Sequence, residues 1–238
     1  MHGYLSNKEA FSAQIAYFSR FFKVTAIDFL GFGKSGALKT PFSVDDYAEW
    51  LNEVLVALQI EKPHIIAHSF GCRVAVKAAS KKSDRFEKIV LTGAAGIILK
   101  RGFSYRFKVG LYRLVKKFAP RYAEKRFGSK EYRSLPPIMK ESYKKIVNED
   151  LRQAAKAVKN EVLIVQGEQD RTTTMAEAKI YQAAFPRCVL REIAGGHFAF
   201  AENPLLFNLI TEEFLYDGNG TKTDCNADID DAVLLNDE

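Results

Sequence analysis

Short apolar runs alternate with longer amphipathic stretches along most of the chain. Five of these runs are rich in aliphatic and β-branched residues and are predicted as strands, namely residues 24–28, 64–67, 88–92, 162–165 and 188–193. Several of them are almost wholly apolar, which is typical of parallel strands that are covered on both faces. Because helix-length stretches separate the runs, the pattern predicts an α/β fold with a mostly parallel sheet and helices on both of its faces.

Two of the intervening stretches carry signals for the start of a helix. Ser43, followed by Asp46 three residues later, has the spacing of a capping box. The apolar face of the helix that follows holds Tyr47, Leu51, Val54, Leu55 and Leu58. Asn203 and Pro204 begin the last helix, since Asn caps a helix and Pro fits its first position. Both helices are predicted to pack on the sheet.

Two segments depart from this alternation and divide the chain. Residues 98–150 interleave basic and aromatic side chains without a strand-like run, which indicates a helical insert between two parts of the core, 1–97 and 151–216. Most of the positive charge lies there, because residues 100–145 contain fifteen Lys and Arg against three Glu. Residues 217–238 hold seven acidic residues and one Lys, and this acidic tail is expected to be disordered because it has too little apolar surface to fold.

The composition is that of a globular protein. The chain has 238 residues, of which 47% are hydrophobic and 27% charged, and this is enough for one domain with a substantial core. It contains no run of about 18 apolar residues and no leader-like amino terminus. Three widely spaced cysteines, Cys72, Cys188 and Cys225, form no CxxC pair, so neither a disulfide framework nor a zinc site is expected. We therefore expect a cytoplasmic protein without stable membrane insertion.

The pentapeptide AHSFG, residues 67–71, lies between a predicted strand and a predicted helix. A strand, a tight turn with Ser at its apex and a helix make up a nucleophile elbow, which needs small residues two before and two after the Ser. Ala67 and Gly71 meet that requirement around Ser69. The alternative is a serine that caps an ordinary helix, and the pentapeptide alone does not exclude it.

Partners for a serine nucleophile follow in the order Ser, Asp, His that this kind of site requires. Asp170 comes just after the strand at 162–165, and His197 follows the strand at 188–193. Strand ends are where α/β sheets place their sites. Ser69 is therefore predicted to attack, His197 to accept its proton, and Asp170 to orient His197, with Glu168 as the rival acid.

Acyl transfer also needs backbone N–H groups directed at the developing oxyanion. Phe70, the residue after the nucleophile, is expected to supply one of them. The other is expected from the residue that follows a His-Gly pair, and His2-Gly3 precedes Tyr4. Tyr4 is the candidate, with Leu5 next.

With these motifs, the chain resembles the α/β-hydrolase fold superfamily over about residues 2–214. The resemblance is carried by His2-Gly3, DFLGFGKS, AHSFG, GEQD and GGHFAFAENP, which stand in the family order. It implies a Ser-His-Asp hydrolase core that needs no metal or organic cofactor, with a helical cap at the position of residues 98–150. Asp28, the first residue of DFLGFGKS, is interpreted as scaffold. A Ser nucleophile argues against the dehalogenases and epoxide hydrolases of the family.

The amino terminus departs from the family pattern. In the family, His-Gly ends a third strand that lies between the equivalents of 24–28 and 64–67, and two further strands precede it. Here only Met1 precedes His2-Gly3. Without that strand, buried backbone groups would lose partners at about 1–3 kcal/mol each. We therefore expect Met1 to be an internal methionine of a longer protein.

The favoured function is hydrolysis of a small carboxylic ester or thioester through an acyl-enzyme. Alternatives are carbon–carbon bond hydrolysis, a cofactor-free lyase like the menaquinone-pathway SHCHC synthase, and a non-catalytic binding protein on a truncated hydrolase scaffold. Arg73 lies near the predicted nucleophile and, like a similar Arg in that synthase, could bind the carboxylate of an anionic substrate. Packing or an ion pair is the more ordinary role for one Arg.

The basic insert does not by itself indicate a macromolecular partner. Charge runs are most often solvated helix faces, with selection of an anionic substrate and contact with an acidic membrane surface as the alternatives. No recognised nucleic-acid motif accompanies this run. No nucleic-acid partner is therefore expected, and the oligomeric state stays open.

Overall fold

The computed structural model describes residues 1–99 and 134–216. Within these ranges four parallel strands form one sheet in the order β1-β2-β3-β4. The strands are β1 (Ile65–His68), β2 (Ile89–Thr92), β3 (Val162–Gly167) and β4 (Cys188–Ile193). They match four of the five predicted strands to within two residues at either end, and the predicted α/β fold is confirmed.

Eight α-helices accompany the sheet in the described ranges. They are α1 (Ser12–Phe18), α2 (Val44–Ala57), α3 (Phe70–Lys81), α4 (Pro137–Val147), α5 (Arg152–Ala157), α6 (Met175–Ala184), α7 (Ala199–Glu202) and α8 (Pro204–Tyr216). Short 3₁₀ turns cover Lys8–Phe11 and Ser83–Arg85. None of the helices in these ranges combines the length and the apolar character needed to cross a bilayer.

Alternate residues of the strands divide the core between the two faces of the sheet. On β2, Ile89 and Leu91 pack with the helices α2, α3, α5 and α6, whereas Val90 packs with α1, α7 and α8. Strand β3 does the same, with Ile164 on the first face and Leu163 on the second. Successive side chains of a strand point to opposite faces, so β2 and β3, which are covered on both faces, are apolar over most of their length.

Helix α2 begins where its sequence predicts. The backbone N–H of Ser43 donates to Asp46 Oδ2 at 2.6 Å, and the N–H of Asp46 donates back to Ser43 Oγ at 3.3 Å, which completes the capping box. Tyr47 and Leu51 of the predicted apolar face are buried. Leu58 is half exposed because the helix ends at Ala57 and the chain turns away.

The prediction of a strand at residues 24–28 is wrong. The segment is not assigned as a strand and borders a cavity of about 440 Å³ that β1 and α2 also line. Beside β1 lies Met1, whose N–H donates to Ile66 O at 2.6 Å and whose carbonyl accepts from His68 N at 3.0 Å. An extended segment is assigned as a strand only when a hydrogen-bonded neighbour lies beside it, and residues 24–27 line the cavity instead.

The predicted insert at 98–150 is described only at its ends, because residues 100–133 lie outside the described ranges, as does the predicted tail at 217–238. At its base, Asp150 Oδ2 accepts from Ile98 N at 2.9 Å, and Leu151 N donates to Gly96 O at 2.8 Å. The chain therefore leaves and re-enters the core at one point of the fold. Helix α4 begins within the second half of the insert.

Candidate active site

The turn from β1 to α3 holds Ser69 in an unusual backbone conformation. Its φ is 50° and its ψ is −107°, a region that residues other than glycine rarely adopt. The turn also needs a glycine two residues on, because a Cβ at Gly71 would lie 2.7 Å from Met1 O and 2.9 Å from His2 O. The small residue that the elbow requires at this position is thus explained by the close approach of the first residues of the chain.

Ser69, His197 and Asp170 lie in one hydrogen-bonded line. His197 Nε2 is 3.1 Å from Ser69 Oγ, and His197 Nδ1 is 2.8 Å from Asp170 Oδ2. An ionised carboxylate only accepts, so Nδ1 carries the ring proton and Nε2 is left to accept the proton of the serine. The three residues follow the carboxyl ends of β1, β3 and β4, which meet at one edge of the sheet.

The carboxylate of Asp170 is held by a set of donors. Oδ1 accepts from the backbone N–H of Thr172 at 2.7 Å and of Thr173 at 3.0 Å, while Oδ2 accepts from Thr173 Oγ1 at 2.8 Å and from His197. Burial acts to raise the pKa of Asp170, but the hydrogen bonds from His197 and Thr173 outweigh it and lower the pKa to about 2. The side chain is therefore an anion throughout the physiological pH range.

The two other acids considered lie elsewhere. Glu168 is exposed, while Asp170 is the acid in contact with His197. Asp28 accepts from the backbone N–H of Lys8 at 2.7 Å and of Lys34 at 2.9 Å, which matches its interpretation as scaffold.

His68, inside the elbow, serves the backbone of the site. Its Nε2–H donates to the carbonyl of His197 at 2.9 Å. Burial, helped by the neighbouring His197, lowers the pKa of His68 to about 3, so its ring stays neutral at physiological pH. A neutral ring can hold the His197 loop without placing a second positive charge beside His197.

The two expected oxyanion residues flank the nucleophile. A Cβ at Gly3 would lie 3.4 Å from Ser69 Cβ, so the segment that carries Tyr4 passes directly beside the nucleophile. Phe70 is the first residue of α3, where backbone N–H groups have no partner within the helix. The rings of Tyr4 and Phe70 are 5.5 Å apart in an edge-to-face arrangement. The alternative, Leu5, is half exposed and has a φ of 58°.

Arg73 contacts the carboxyl end of α4. Its Nη1 donates to the carbonyl of Ile146 at 2.9 Å and to that of Glu149 at 2.8 Å, and the residue is buried. These carbonyls lie at and just after the carboxyl end of α4, so this nitrogen holds the insert against α3. Packing, the more ordinary of the two roles considered for Arg73, accounts for these contacts of Nη1.

One residue and one contact of the site are not predicted from the sequence. Thr173 supplies both donors described above, and its spacing of three from Asp170, typical of a local side-chain turn, could have identified it. The hydroxyl of Tyr4 donates to Met139 O at 3.0 Å, across 135 residues of chain, and no local sequence signal exists for such a contact. No cluster of His, Cys, Asp or Glu suited to a metal ion occurs in residues 1–99 and 134–216.

Known proteins share this fold and parts of the sequence. Uncharacterized proteins of Mycobacterium bovis and Mycobacterium tuberculosis are 31% identical over 97 residues, a match that covers 41% of this chain and 28% of theirs. The AB hydrolase superfamily protein YisY of Bacillus subtilis is 26% identical, and the alignment covers 90% of this chain and 89% of YisY.

A solved structure gives the same result at the level of the fold. The structure of a meta-cleavage product hydrolase from Pseudomonas fluorescens is 24% identical, covers 92% of this chain and 89% of its own, and has a TM-score of 0.71. The profile of the alpha/beta hydrolase fold matches residues 1–137, more than half of the chain. The chain therefore belongs to the α/β-hydrolase fold family.

Proposed function

We propose that the protein hydrolyses a small carboxylic ester or thioester through an acyl-enzyme. Ser69 Oγ attacks the carbonyl carbon while its proton passes to His197 Nε2, and the carbonyl oxygen becomes an oxyanion held by the N–H groups of Phe70 and Tyr4. His197 then gives the proton to the leaving alcohol or thiol. Water, deprotonated by His197, attacks the acyl carbon and releases the carboxylic acid and free Ser69.

One observation carries the proposal. It is the unbroken line from Ser69 Oγ through the ring of His197 to Asp170, with distances of 3.1 and 2.8 Å, at the apex of a strained elbow. A serine that only capped a helix would not need a histidine oriented by a buried carboxylate. Asp170, anionic at physiological pH, stabilises the imidazolium that forms when His197 takes the proton.

Hydrolysis of a carbon–carbon bond is the second candidate. It is favoured by the similarity to a meta-cleavage product hydrolase, whose fold this chain shares over 92% of its length. The two reactions differ in the leaving group, which is a heteroatom in an ester and a carbon in a cleaved ketone. Active-site labelling identifies the nucleophile for both, and product analysis separates them.

The test is labelling with a fluorophosphonate probe, followed by peptide mass spectrometry. An activated serine displaces fluoride from the probe, so we expect a label on Ser69 in the wild-type chain and none in Ser69→Ala or in His197→Gln. Ser80→Ala is the matched control, since Ser80 Oγ only donates to Lys77 O within its own helix. A folded chain without label on Ser69 would contradict the proposal and favour the binding-protein alternative.

Turnover then distinguishes the substrate classes. We expect release of 4-nitrophenol from a short-chain 4-nitrophenyl ester, with an initial burst of one equivalent per labelled site if deacylation is slow. Acyl-thioesters are tested beside it, and a vinylogous 1,5-diketone tests carbon–carbon cleavage. Labelling of Ser69 with turnover of the diketone alone would assign the second candidate instead.

A further inference from the structure

We propose that the side chain of Tyr4 is a positioning residue for the oxyanion site, acting through its contact with helix α4. The inference rests on the proposed function, because it assigns the Tyr4 side chain a role in directing the Tyr4 N–H. The hydroxyl of Tyr4 donates to the carbonyl of Met139 at 3.0 Å. This hydrogen bond joins the loop beside the nucleophile to a helix of the insert.

The turn that carries the Tyr4 N–H is strained at the next residue. Ser6 N donates to Gly3 O at a long 3.3 Å, and between them Leu5 has a φ of 58°, in the left-handed region that favours glycine. The Leu5 side chain is 49% exposed, so little packing compensates for this strain. Contacts with other parts of the chain are therefore needed to hold the turn in this conformation.

The Tyr4 side chain supplies such contacts. Its ring lies 4.8 Å from that of Phe32, 5.5 Å from that of Phe70 and 5.1 Å from that of Tyr143. The first two partners belong to the core, and Tyr143 belongs to α4. The hydroxyl adds a directional bond to a carbonyl of α4, which fixes the rotation of the side chain and with it the plane of the neighbouring peptide.

Helix α4 is a suitable anchor because it is fixed at its other end as well. Arg73 Nη1 donates to Ile146 O and Glu149 O, and Arg73 lies on α3, the helix that begins with Phe70. Thus α4 is joined to the chain segments of both expected oxyanion donors, through Tyr4 at one end and through α3 at the other. The insert in this way sets the relative position of the two N–H groups.

An oxyanion exists only in the transition state and the tetrahedral intermediate, so an error in the direction of an N–H reduces kcat without weakening substrate binding. We expect Tyr4→Phe, which removes only the hydroxyl, to lower kcat for a 4-nitrophenyl ester by about 10-fold to 100-fold. KM is expected to change by less than about twofold. Affinity for a trifluoromethyl ketone, which forms a tetrahedral oxyanion on Ser69, should fall in parallel with kcat.

Tyr47→Phe is the matched control. The hydroxyl of Tyr47 also donates to a backbone carbonyl, Leu30 O, at 3.0 Å, and its ring lies 5.0 Å from that of Phe70. Both variants lose a phenol–carbonyl hydrogen bond in the same aromatic cluster, and their Tm values should fall similarly. Only Tyr4→Phe should lose turnover and ketone affinity. Equal kinetic effects in the two variants would overturn the proposal.

A second variant tests the cause and guards against a folding defect in the first. In Tyr4→Phe combined with Leu5→Gly, the turn adopts the positive φ without strain and no longer depends on the hydroxyl. We expect kcat to recover at least threefold over Tyr4→Phe alone, and no recovery would contradict the role assigned to strain at Leu5. Failure of the proposed function is distinguishable, because it would remove the fluorophosphonate label from Ser69 in the wild type.

Discussion

Thr173 illustrates how hydrogen bonds orient the carboxylate of Asp170. Thr173 is buried, donates to both oxygens of Asp170, and its Oγ1 lies 3.3 Å from His197 Nδ1. We expect Thr173→Val, which keeps the shape and removes the hydroxyl, to lower kcat/KM by about tenfold because the carboxylate then loses one of the donors that orient it. Thr173→Ser keeps the hydroxyl and should retain turnover to within about twofold. The measurement is steady-state hydrolysis of a 4-nitrophenyl ester, and a valine variant as active as the serine variant would contradict the role.

Thr173→Val should also change how the free energy of unfolding depends on pH. The pKa of Asp170 is about 2 in the folded chain against 3.8 for an ordinary Asp, so its ionised form favours the folded state. That stabilisation is fully present above about pH 4 and is lost as the pH falls toward 2. Thr173→Val should raise the pKa of Asp170 and so lose less stability between pH 5 and pH 3 than the wild type, as measured by urea unfolding.

At the scale of elements, the carboxyl end of α4 depends on a side chain from α3. The Arg73 guanidinium donates to Ile146 O and Glu149 O, and its removal leaves these carbonyls without that donor. We expect Arg73→Met to reduce the free energy of unfolding by about 1–3 kcal/mol. Hydrogen exchange should accelerate mainly in residues 137–147. Lys81→Met is the control, because Lys81 makes only exposed ion pairs with Asp45 and Glu49, which contribute little. Equal exchange in the two variants would refute the anchoring role.

The predictions from sequence succeeded where the signal is local. Four strands are predicted because each is a short run rich in aliphatic or β-branched residues, and the same pattern puts Ser69, Asp170 and His197 just after strand ends. The strand at 24–28 failed because a strand is defined by its neighbour, which no local pattern reports. The contacts of Arg73 and of the Tyr4 hydroxyl join residues more than 70 positions apart, and such contacts are set by packing.

At the scale of the molecule, no further strand pairs with β1 among residues 1–99 and 134–216. Met1 forms the hydrogen bonds of a parallel neighbour with Ile66 and His68, and the cavity of about 440 Å³ extends from there between β1 and residues 24–27. The α-ammonium of Met1 is buried in this wall, and burial lowers its pKa to about 5, opposed in part by Cys72. In a polypeptide that begins at Met1, the buried amine and the backbone groups of β1 that lie beyond Met1 both reduce stability.

An apolar strand attached before Met1 should relieve both effects. The added residues would continue the parallel pairing along β1, and an amide would replace the buried amine. We expect five strand-forming residues, Val-Thr-Val-Ile-Leu, to raise the Tm by at least about 2–4 °C, the shift that corresponds to 1 kcal/mol for a domain of this size. The control is Val-Pro-Val-Pro-Leu, which also buries no ammonium but cannot donate to the sheet. Equal Tm values for the two fusions would show that no pairing occurs along β1.

Because of the buried amine, the stability of the chain that begins at Met1 should depend on pH differently from that of the two fusions. In the unfolded chain the amine has a pKa near 8, and in the folded chain a pKa of about 5, so between these values the unfolded state binds more protons. A polypeptide that begins at Met1 therefore loses stability as the pH falls from 8 to 6. Both fusions lack this group and should lose less stability over that interval in urea unfolding. The same pH dependence in the fusions and in the polypeptide that begins at Met1 would mean that the Met1 amine remains solvated, and the gain in Tm would then be due to strand pairing alone.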